Sequence, residues 1–381
     1  MSQILKSLQL PITGSSPSSS LSGFGVVYAS GSNKFYYKNP SGTEFDLVTS
    51  NGYINVLYYT GSAIGDGTTQ TYTWSKPLTG LKYIEVCCVG AGGGGGSGRK
   101  GLALNSGWAG VGGAGGAIVW TTFDSSILSS SYTITVGAGG AGGLRQTTNA
   151  TNGNPGLKGG NTSFGSLVVA EGGGGGPGGA QFTVSTQASG GNSANCTPSG
   201  FPYSLNGCSS QIATTQPGNE ATAPIIFNAQ GFVDVNAGVG ATERWFGAGG
   251  GGGGLGGGRS PSFTNGSPAG AGSSGYQFTT LITNGGTPGN SGSSGTDATA
   301  PTDNMITTLL QFTGSTTLYG LGGGGHGGGY GTTGNGGNGS NGGLYGAGGG
   351  GGGATGSTTA LSGSGIGGSG SAGLCIVVEF Y

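Results

Sequence analysis

Carboxyl groups that could act as a catalytic acid and base are few and scattered in this chain. Cleavage of a glycosidic bond needs two of them facing each other across the bond. The chain of 381 residues holds 12 Asp and Glu: Glu44, Asp46, Asp66, Glu85, Asp124, Glu171, Glu220, Asp234, Glu243, Asp297, Asp303 and Glu379. Several stand in segments that predict strands or turns. We therefore predict that the protein is not an enzyme. A polysaccharide depolymerase stays as an alternative, because distant residues can meet in a fold.

Histidine chemistry is equally sparse. A Ser-His-Asp triad would have to use the single histidine, His326, which lies within a run of glycines and lacks neighbours that would hold a catalytic base in place. A zinc site would need closely spaced cysteines or several histidines. GxGxxG matches follow from the abundance of glycine, and no helical pattern supplies a dinucleotide-binding context. The sequence thus predicts neither a metal nor a cofactor.

The five cysteines fall into two groups. Cys87, Cys88 and Cys375 lie in apolar runs that predict strands, so we expect them to be small buried hydrophobic residues. Cys196 and Cys208 flank a loop and could pair outside a cell, whereas assembly in a reducing cytoplasm would oppose a disulfide. Whether they pair stays open.

Aromatic residues beside glycines and in loops are the candidates for binding. An aromatic ring on a rigid loop of low charge offers contact area at small entropic cost. The same rings could instead cap polyglycine helices and cover small apolar patches. Together with the loop histidine, the candidate contact residues are Phe201, Tyr203, Trp245, Phe246, His326, Tyr330 and Tyr345.

Glycine dominates the composition, with 98 residues in 381, several times the usual share of about 7%. Charged residues make up 6% and apolar residues 33%, which is unlike a charged, disordered chain. The glycine tracts show no strict three-residue period of the collagen kind. Extended polyglycine helices packed side by side would give every peptide group a bonding partner, and we expect them here.

Charge and hydropathy also restrict the partners and the location. A net charge of −1 argues against binding to nucleic acid, which needs a basic surface. No apolar run approaches the roughly 20 residues of a membrane span, so no membrane insertion is expected. The first residues lack the pattern of a signal peptide, which predicts synthesis and assembly in a cytoplasm.

Short strand patterns between turn residues and glycine tracts predict an all-β fold with little or no α-helix. Residues 1–52 contain short hairpins and are expected to be an attachment or trimerisation region, since so small a unit needs partners. Residues 53–381 are expected to form a glycine-rich β-sandwich with a loop-rich excursion at about 180–243. The most apolar runs, Leu81 to Val89 and Leu374 to Tyr381, bracket the glycine tracts, so both should belong to one sandwich.

An ordered series of motifs resembles the glycine-rich domain of phage tail and fibre proteins. Its members are Tyr72 to Pro77, Ile84 to Gly94, Tyr132 to Gly140, Gly159 to Gly165, Ala170 to Gly174 and Gly370 to Phe380. The match covers roughly residues 68–178 and 364–381. The residues from Phe24 to Leu47 resemble hairpins near the start of phage fibre and head-fibre proteins. The glycine tracts resemble the polyglycine sandwich of adhesins that cap the long tail fibres of T-even-like phages.

The resemblance implies a virion protein, assembled in the host cytoplasm, that is attached to other virion proteins by residues 1–52. It further implies a homotrimer whose distal loops contact a host cell-surface polysaccharide or outer-membrane protein. A purely structural head fibre, capsid spike or decoration protein is the first alternative, and the depolymerase is the second. An extracellular, silk-like glycine protein is disfavoured by the missing secretion signal and the ordered strand motifs.

Overall fold

The computed structural model describes most of the glycine-rich region and isolated strands elsewhere. The described residues are 54–61, 67–102, 108–180, 295, 325, 327–357 and 359–381, with the strand segments 12–13, 26–30, 35–38, 44–46 and 203–205. Over these residues the fold is all-β, as predicted, and its one helical element is the short 3-10 turn Ser125–Ile127.

The strands are short and follow the apolar runs of the sequence. They are β1 (Ile12–Thr13), β2 (Val26–Ser30), β3 (Phe35–Lys38), β4 (Glu44–Asp46), β5 (Ile54–Thr60), β6 (Gln70–Ser75), β7 (Tyr83–Val89), β8 (Ile118–Asp124), β9 (Ser131–Val136), β10 (Thr162–Phe164), β11 (Val168–Ala170), β12 (Tyr203–Leu205) and β13 (Leu374–Phe380). The first four form a sheet of their own in the order β1-β2-β3-β4, with antiparallel pairs from β2 onward.

Two further sheets face each other as a sandwich. One has the order β11-β10-β9-β6 and the other the order β12-β8-β7-β13-β5. The core between them is apolar and includes Trp74, Phe123, Ile134 and Phe164. The Trp74 and Phe164 rings are tilted against each other with centroids 5.5 Å apart, an arrangement that aromatic pairs favour. Alternation of buried and exposed residues along β6 and β9 places one face of each strand in this core.

The last strand lies inside the larger sheet. β13 pairs with β7 on one side and with β5 on the other, in antiparallel register over its whole length. Six of its seven residues are buried. The prediction that the runs at 81–89 and 374–381 belong to one sandwich is therefore confirmed.

A buried carboxylate joins the two sheets. Glu379 in β13 is 3% exposed, and its Oε1 accepts a hydrogen bond of 2.8 Å from Trp74 Nε1 in β6. Its Oε2 accepts from Asn55 Nδ2 at 2.7 Å and from the Tyr381 hydroxyl at 2.9 Å. Burying a charge is costly unless hydrogen bonds compensate it, and here both oxygens are compensated.

The glycine tracts extend from one end of the sandwich as an array of parallel and antiparallel extended segments. Residues 90–101, called the central tract, lie in the middle and continue directly from β7. Every third N–H of the central tract donates to the same neighbouring tract. The donor–acceptor pairs are Gly90–Ala117, Gly93–Ala114 and Gly96–Val111 to the first neighbour, Ala91–Gly160, Gly94–Leu157 and Ser97–Asn154 to the second, and Gly92–Ser371, Gly95–Gly368 and Gly98–Gly365 to the third.

Three more tracts donate to the central tract, so that six surround it. The carbonyls of the central tract accept from residues 140 and 143, from residues 173, 176 and 179, and from residues 349, 352 and 355. The six ring tracts, residues 108–117, 137–143, 151–160, 171–179, 347–355 and 365–373, also bond to one another around the ring. A three-residue period with bonds to all sides is the pattern of threefold extended helices. The expected packed polyglycine helices are present.

Close packing explains why these tracts are glycine. A Cβ added to Gly93, Gly94 or Gly95 would lie 2.1 Å from a neighbouring carbonyl oxygen. In the ring tract 151–160 the requirement to face the central tract falls on every third residue. Gly153, Gly156 and Gly159 face the central tract, whereas Pro155 and Leu157 between them point away. The sequence analysis found no strict three-residue period, but this tract has one. Elsewhere runs of consecutive glycines conceal such a period.

An asparagine ladder fixes an outer tract to the ring. The N–H groups of Gly336, Gly339 and Gly342 donate to the carbonyls of residues 363, 366 and 369. In return the Oδ1 atoms of three asparagines spaced by three residues accept from the backbone of the ring tract. The pairs are Asn335 with Gly363 N at 2.8 Å, Asn338 with Ile366 N at 3.0 Å and Asn341 with Ser369 N at 2.8 Å. At every third residue, the outer tract therefore both donates a hydrogen bond to the ring tract and accepts one from it.

Candidate functional site

The end of the array opposite the sandwich gathers the loops that connect the tracts. This distal end comprises residues 99–102, 108, 144–152, 331–335 and 355–364, without residue 358. The central tract runs from Gly90 at the sandwich to Gly101, which is about 34 Å at the roughly 3.1 Å rise of such helices. The N–H of Trp108 donates to the carbonyl of Ala180 at 3.1 Å, so Ala180 also lies at the distal end.

A buried lysine holds two of these loops together. Lys100 has no exposed surface, although it is nearly the last residue of the central tract. Its Nζ donates to the carbonyl oxygens of Thr147 at 2.9 Å, Thr359 at 3.1 Å and Ser362 at 2.6 Å. An ammonium group has three donors and no acceptor, so all three are used. Burial lowers the pKa of Lys100 from its usual value.

The neighbouring arginine orders the loop 144–152 from its other side. Arg99 Nη1 donates to Asn152 Oδ1, and Nη2 donates to the carbonyl of Ala150 at 3.2 Å. Arg99 is 5% exposed, and burial lowers its pKa. The loop thus receives hydrogen bonds from two adjacent cations, and its exposed residues are held on a fixed backbone.

The loop 355–364 is tied to the loop 331–335 through hydroxyl groups. The Thr355 hydroxyl donates to the carbonyl of Gly334 at 2.5 Å, and the Ser357 hydroxyl donates to that of Thr333 at 2.7 Å. The Ser362 hydroxyl closes the loop on Thr359 O at 2.9 Å. These bonds leave little freedom in the backbone of either loop.

The surface of the distal end combines apolar and uncharged polar groups. Leu361 is 97% exposed and Leu144 is 75% exposed, and residues 147–150 are exposed too. The carboxylates that are described with their side chains, Glu85, Asp124, Glu171 and Glu379, lie in the sandwich strands or directly beside them. Among the described residues, the ionisable side chains of the distal end are the cations of Arg99, Lys100 and Arg145.

This arrangement of sandwich and glycine tracts agrees with a comparison with known families. A family model described as a glycine-rich domain matches residues 67–286. The chain belongs to the glycine-rich domain family. The match begins just before β6, whereas the ring tracts 347–355 and 365–373 and the strand β13 complete the glycine-rich domain from beyond its end. No curated protein sequence matches the chain.

The structure describes only some of the residues that the sequence analysis predicted as contacts. Tyr330 and Tyr345 are described with their side chains, whereas Tyr203 is described only as part of β12. The others, Phe201, Trp245, Phe246 and His326, lie outside the described residues, as do Cys196 and Cys208.

The two described tyrosines lie at opposite ends of the array. Tyr330 is fully buried near the distal end, with its hydroxyl against Gly356, and in this position it has no surface to offer a ligand. The partly buried Tyr345 packs against the apolar cluster that includes Val89 and Ile376 at the sandwich end. For these two rings the arrangement is that of the alternative interpretation, in which aromatic residues cover the ends of glycine tracts.

Sequence reasoning missed Lys100 and the asparagine ladder. A basic pair that ends a run of glycines, as in Ser97-Gly98-Arg99-Lys100-Gly101, is a usable signal, because a cation at the end of an extended helix can bond the carbonyls of several loops. Asn335, Asn338 and Asn341 show the three-residue spacing directly. Among the cysteines, Cys88 and Cys375 are buried as predicted, while Cys87 is partly buried.

The described residues show neither a cluster of metal ligands nor a membrane-spanning helix. In this part of the chain, no group of three or more His, Cys, Asp or Glu is arranged to hold a metal ion. The described residues also contain no helix of the length and apolar character that crossing a membrane requires.

Proposed function

We propose that the chain is a fibre or spike protein of a bacteriophage particle that binds the host cell surface through the distal end of its glycine array. Residues 1–52 attach it to other virion proteins, and three copies act together. The observation that carries the proposal is the polarity of the glycine-rich domain. The sandwich closes one end, and three groups of described loop residues, 144–152, 331–335 and 355–364 without residue 358, lie together at the other.

The array suits presentation of loops because its rigidity is built from backbone bonds. Successive residues of the central tract bond to different neighbouring tracts, so the interior needs few side chains. Loops on such a scaffold can change in sequence without disturbing the fold. Loops that are ordered before binding lose less entropy on contact, and three copies multiply a weak contact by avidity.

The chemistry of the distal end suits a bacterial surface. Arg145 is exposed there, and its positive charge favours the phosphate and carboxylate groups of cell-surface polysaccharides. Leu144 and Leu361 add apolar contact area beside exposed threonine and asparagine side chains, which suit sugar rings or the loops of an outer-membrane protein.

Competition for adsorption tests the proposal. The purified full chain should block adsorption of its phage to host cells. The double variant Leu144→Ser, Leu361→Ser should lose most of this inhibition. A matched control replaces two exposed apolar residues at the far end of the sandwich, Leu78→Ser and Ile127→Ser, which are 101% and 60% exposed, and should inhibit like the wild type.

Other outcomes would support the alternatives. Absence of any effect on adsorption, together with antibody labelling of the capsid shell, would favour a structural head fibre or decoration protein. A fall in polysaccharide viscosity on incubation with the protein would favour a depolymerase. A monomer by light scattering of the intact chain would exclude the homotrimer.

A further inference from the structure

Cys88 and Cys375 meet in the core between the two sheets of the sandwich. They are direct partners across the antiparallel pair β7–β13, and their Sγ atoms lie 3.6 Å apart. Both are free thiols with no exposed surface. Directly opposed residues of antiparallel strands have Cα atoms about 4.5 or 5.5 Å apart. Both values fall within the range of about 4.4–6.8 Å found for disulfides.

We propose that Cys88 and Cys375 are a disulfide site, which oxidation converts into a covalent link between β7 and the final strand β13. Closing the bond brings the sulfurs from 3.6 Å to about 2.05 Å. Each sulfur therefore moves by roughly 0.8 Å, which side-chain rotation and a small strand shift can supply. The strands already hold the two residues in register, so no rearrangement of the sheet is needed.

The third cysteine in this region does not compete for the bond. Successive side chains of a strand point to opposite faces. Cys88 accordingly lies in the core cluster that contains Cys375, whereas Cys87 packs on the other face of the sheet, against the cluster of Val89 and Ile376. The cross-strand partner of Cys87 is Ile376. The geometry therefore selects one pair among the three.

The oxidant is a small-molecule disulfide such as oxidised glutathione, and the exchange has two steps. The thiolate of one cysteine attacks the small disulfide, forms a mixed disulfide and releases one small thiolate. The second cysteine then attacks the protein sulfur of the mixed disulfide and releases the second small thiolate. The two protein protons leave with the released thiols. The protein pair is thus oxidised by two electrons, and the small disulfide is reduced by two.

The reaction takes place before the sheet closes. In the folded chain, burial and the hydrogen bond with Cys375 raise the pKa of Cys88, so little thiolate is present and no solvent reaches it. β13 is the last strand in the chain, and it inserts between β7 and β5. Until it does, both thiols are accessible with ordinary reactivity. The site therefore records the redox conditions under which the glycine-rich domain folds.

Oxidative refolding tests the proposal. The reduced full chain is refolded from denaturant with reduced and oxidised glutathione at about pH 8.5, near the usual thiol pKa, and free thiols are then alkylated. Peptide mapping should find a cross-linked pair of peptides containing Cys88 and Cys375. The pair should weigh about 2 Da less than its reduced peptides, and both alkylation sites should be lost. Cys87→Ser should keep the link, and Cys375→Ser should abolish it.

Two results would overturn the proposal. One is alkylation of both Cys88 and Cys375 in refolded chain whose circular dichroism matches that of reduced protein. The other is a link from Cys88 to a cysteine other than Cys375. Chain secreted into an oxidising bacterial periplasm gives a second sample to which the same criteria apply if refolding yields are low. A Cys196–Cys208 link, seen on separate peptides, would not alter either criterion.

Discussion

Replacing Gly94 by alanine tests whether close backbone packing holds the array together. Gly94 lies in the central tract, and an added Cβ would stand 2.1 Å from the carbonyl oxygen of Ala141. Carbon–oxygen contacts in proteins are rarely shorter than about 3.3 Å. The neighbouring tract would therefore have to move by roughly 1 Å. Its other neighbours oppose that movement, because the ring tract 137–143 is bonded on several sides.

The cost follows from the bonds that this movement stretches. The donor–acceptor pairs of the ring tract 137–143 with its neighbours include Gly140–Gly92, Gly143–Gly95, Leu157–Ala141, Gly160–Ala138, Gly367–Gly143 and Gly370–Gly140, at 2.8 to 3.0 Å. Loss of three to four of them at about 1 kcal/mol each gives about 3–4 kcal/mol. Alanine also restricts the unfolded chain, which returns about 0.4–1 kcal/mol. We expect a net destabilisation of about 2–3 kcal/mol.

Gly160→Ala is the matched control. Its added Cβ would lie 3.0 Å from Ala138 N, which a small local shift can relieve, and it restricts the unfolded chain equally. We expect its free energy of unfolding to stay within about 1 kcal/mol of the wild type. Urea unfolding followed by tryptophan fluorescence measures both variants. Equal stability of Gly94→Ala and Gly160→Ala would refute close packing as the reason for glycine in the central tract.

Three further predictions concern polar groups. Lys100→Met removes the donor from three carbonyl oxygens at the distal end and should lower the free energy of unfolding by about 2–4 kcal/mol, measured by urea unfolding; unchanged stability would contradict the role given to the ammonium group. Glu379→Gln replaces one acceptor oxygen by an NH2 group, which then faces hydrogen-bond donors. The substitution should lower the free energy of unfolding by about 1–3 kcal/mol and alter the near-UV circular dichroism spectrum. An unchanged spectrum and stability would refute a structural role. The pKa of Tyr59 is raised from about 10 in the unfolded chain to about 12 in the fold. Burial is the main cause, and the nearby Cys375 and Glu379 add to it. The fold therefore favours the neutral phenol. The stability it contributes is present below pH 10 and is lost as the pH rises toward 12, and Tyr59→Phe should show a smaller loss over that interval than the wild type in urea midpoints; identical pH profiles would contradict this.

The sandwich was predictable because its strands carry side-chain patterns. Tyr72 and Trp74 alternate with polar residues in β6, and Leu81 to Val89 is a near-continuous apolar and β-branched run that fits a buried strand. These signals gave the strands to within a few residues. They also indicated that the apolar runs at 81–89 and 374–381 belong to one sandwich. The structure confirms this and, beyond the prediction, pairs the two runs directly as β7 and β13.

The arrangement of the array was not predictable in the same way. Glycine has no side chain, so a run such as Gly92 to Gly96 carries no information about which neighbour each residue faces. The neighbours are chosen by hydrogen-bond register over long sequence separations, as between Gly92 and Ser371. Only the ends of the tracts carry side-chain patterns from which structure can be predicted. Even there, the sequence does not determine whether a ring such as Tyr330 is exposed or buried against the end of a glycine tract.

The threefold period determines where the glycine-rich domain can accept new side chains. In the central tract nearly every residue faces a neighbouring backbone, so substitution is restricted throughout. In the ring tract 151–160 only every third residue faces the centre, as Gly153, Gly156 and Gly159 do, and the residues between them can carry side chains outward. Leu157 and Lys158 already use this freedom and are exposed. The flank of the array can therefore gain binding chemistry without disturbing the backbone bonds, in addition to the loops of the distal end. Leu157→Ala combined with Lys158→Ala should accordingly leave the urea midpoint near that of the wild type, whereas Gly156→Ala, one residue away, should lower it as Gly94→Ala does.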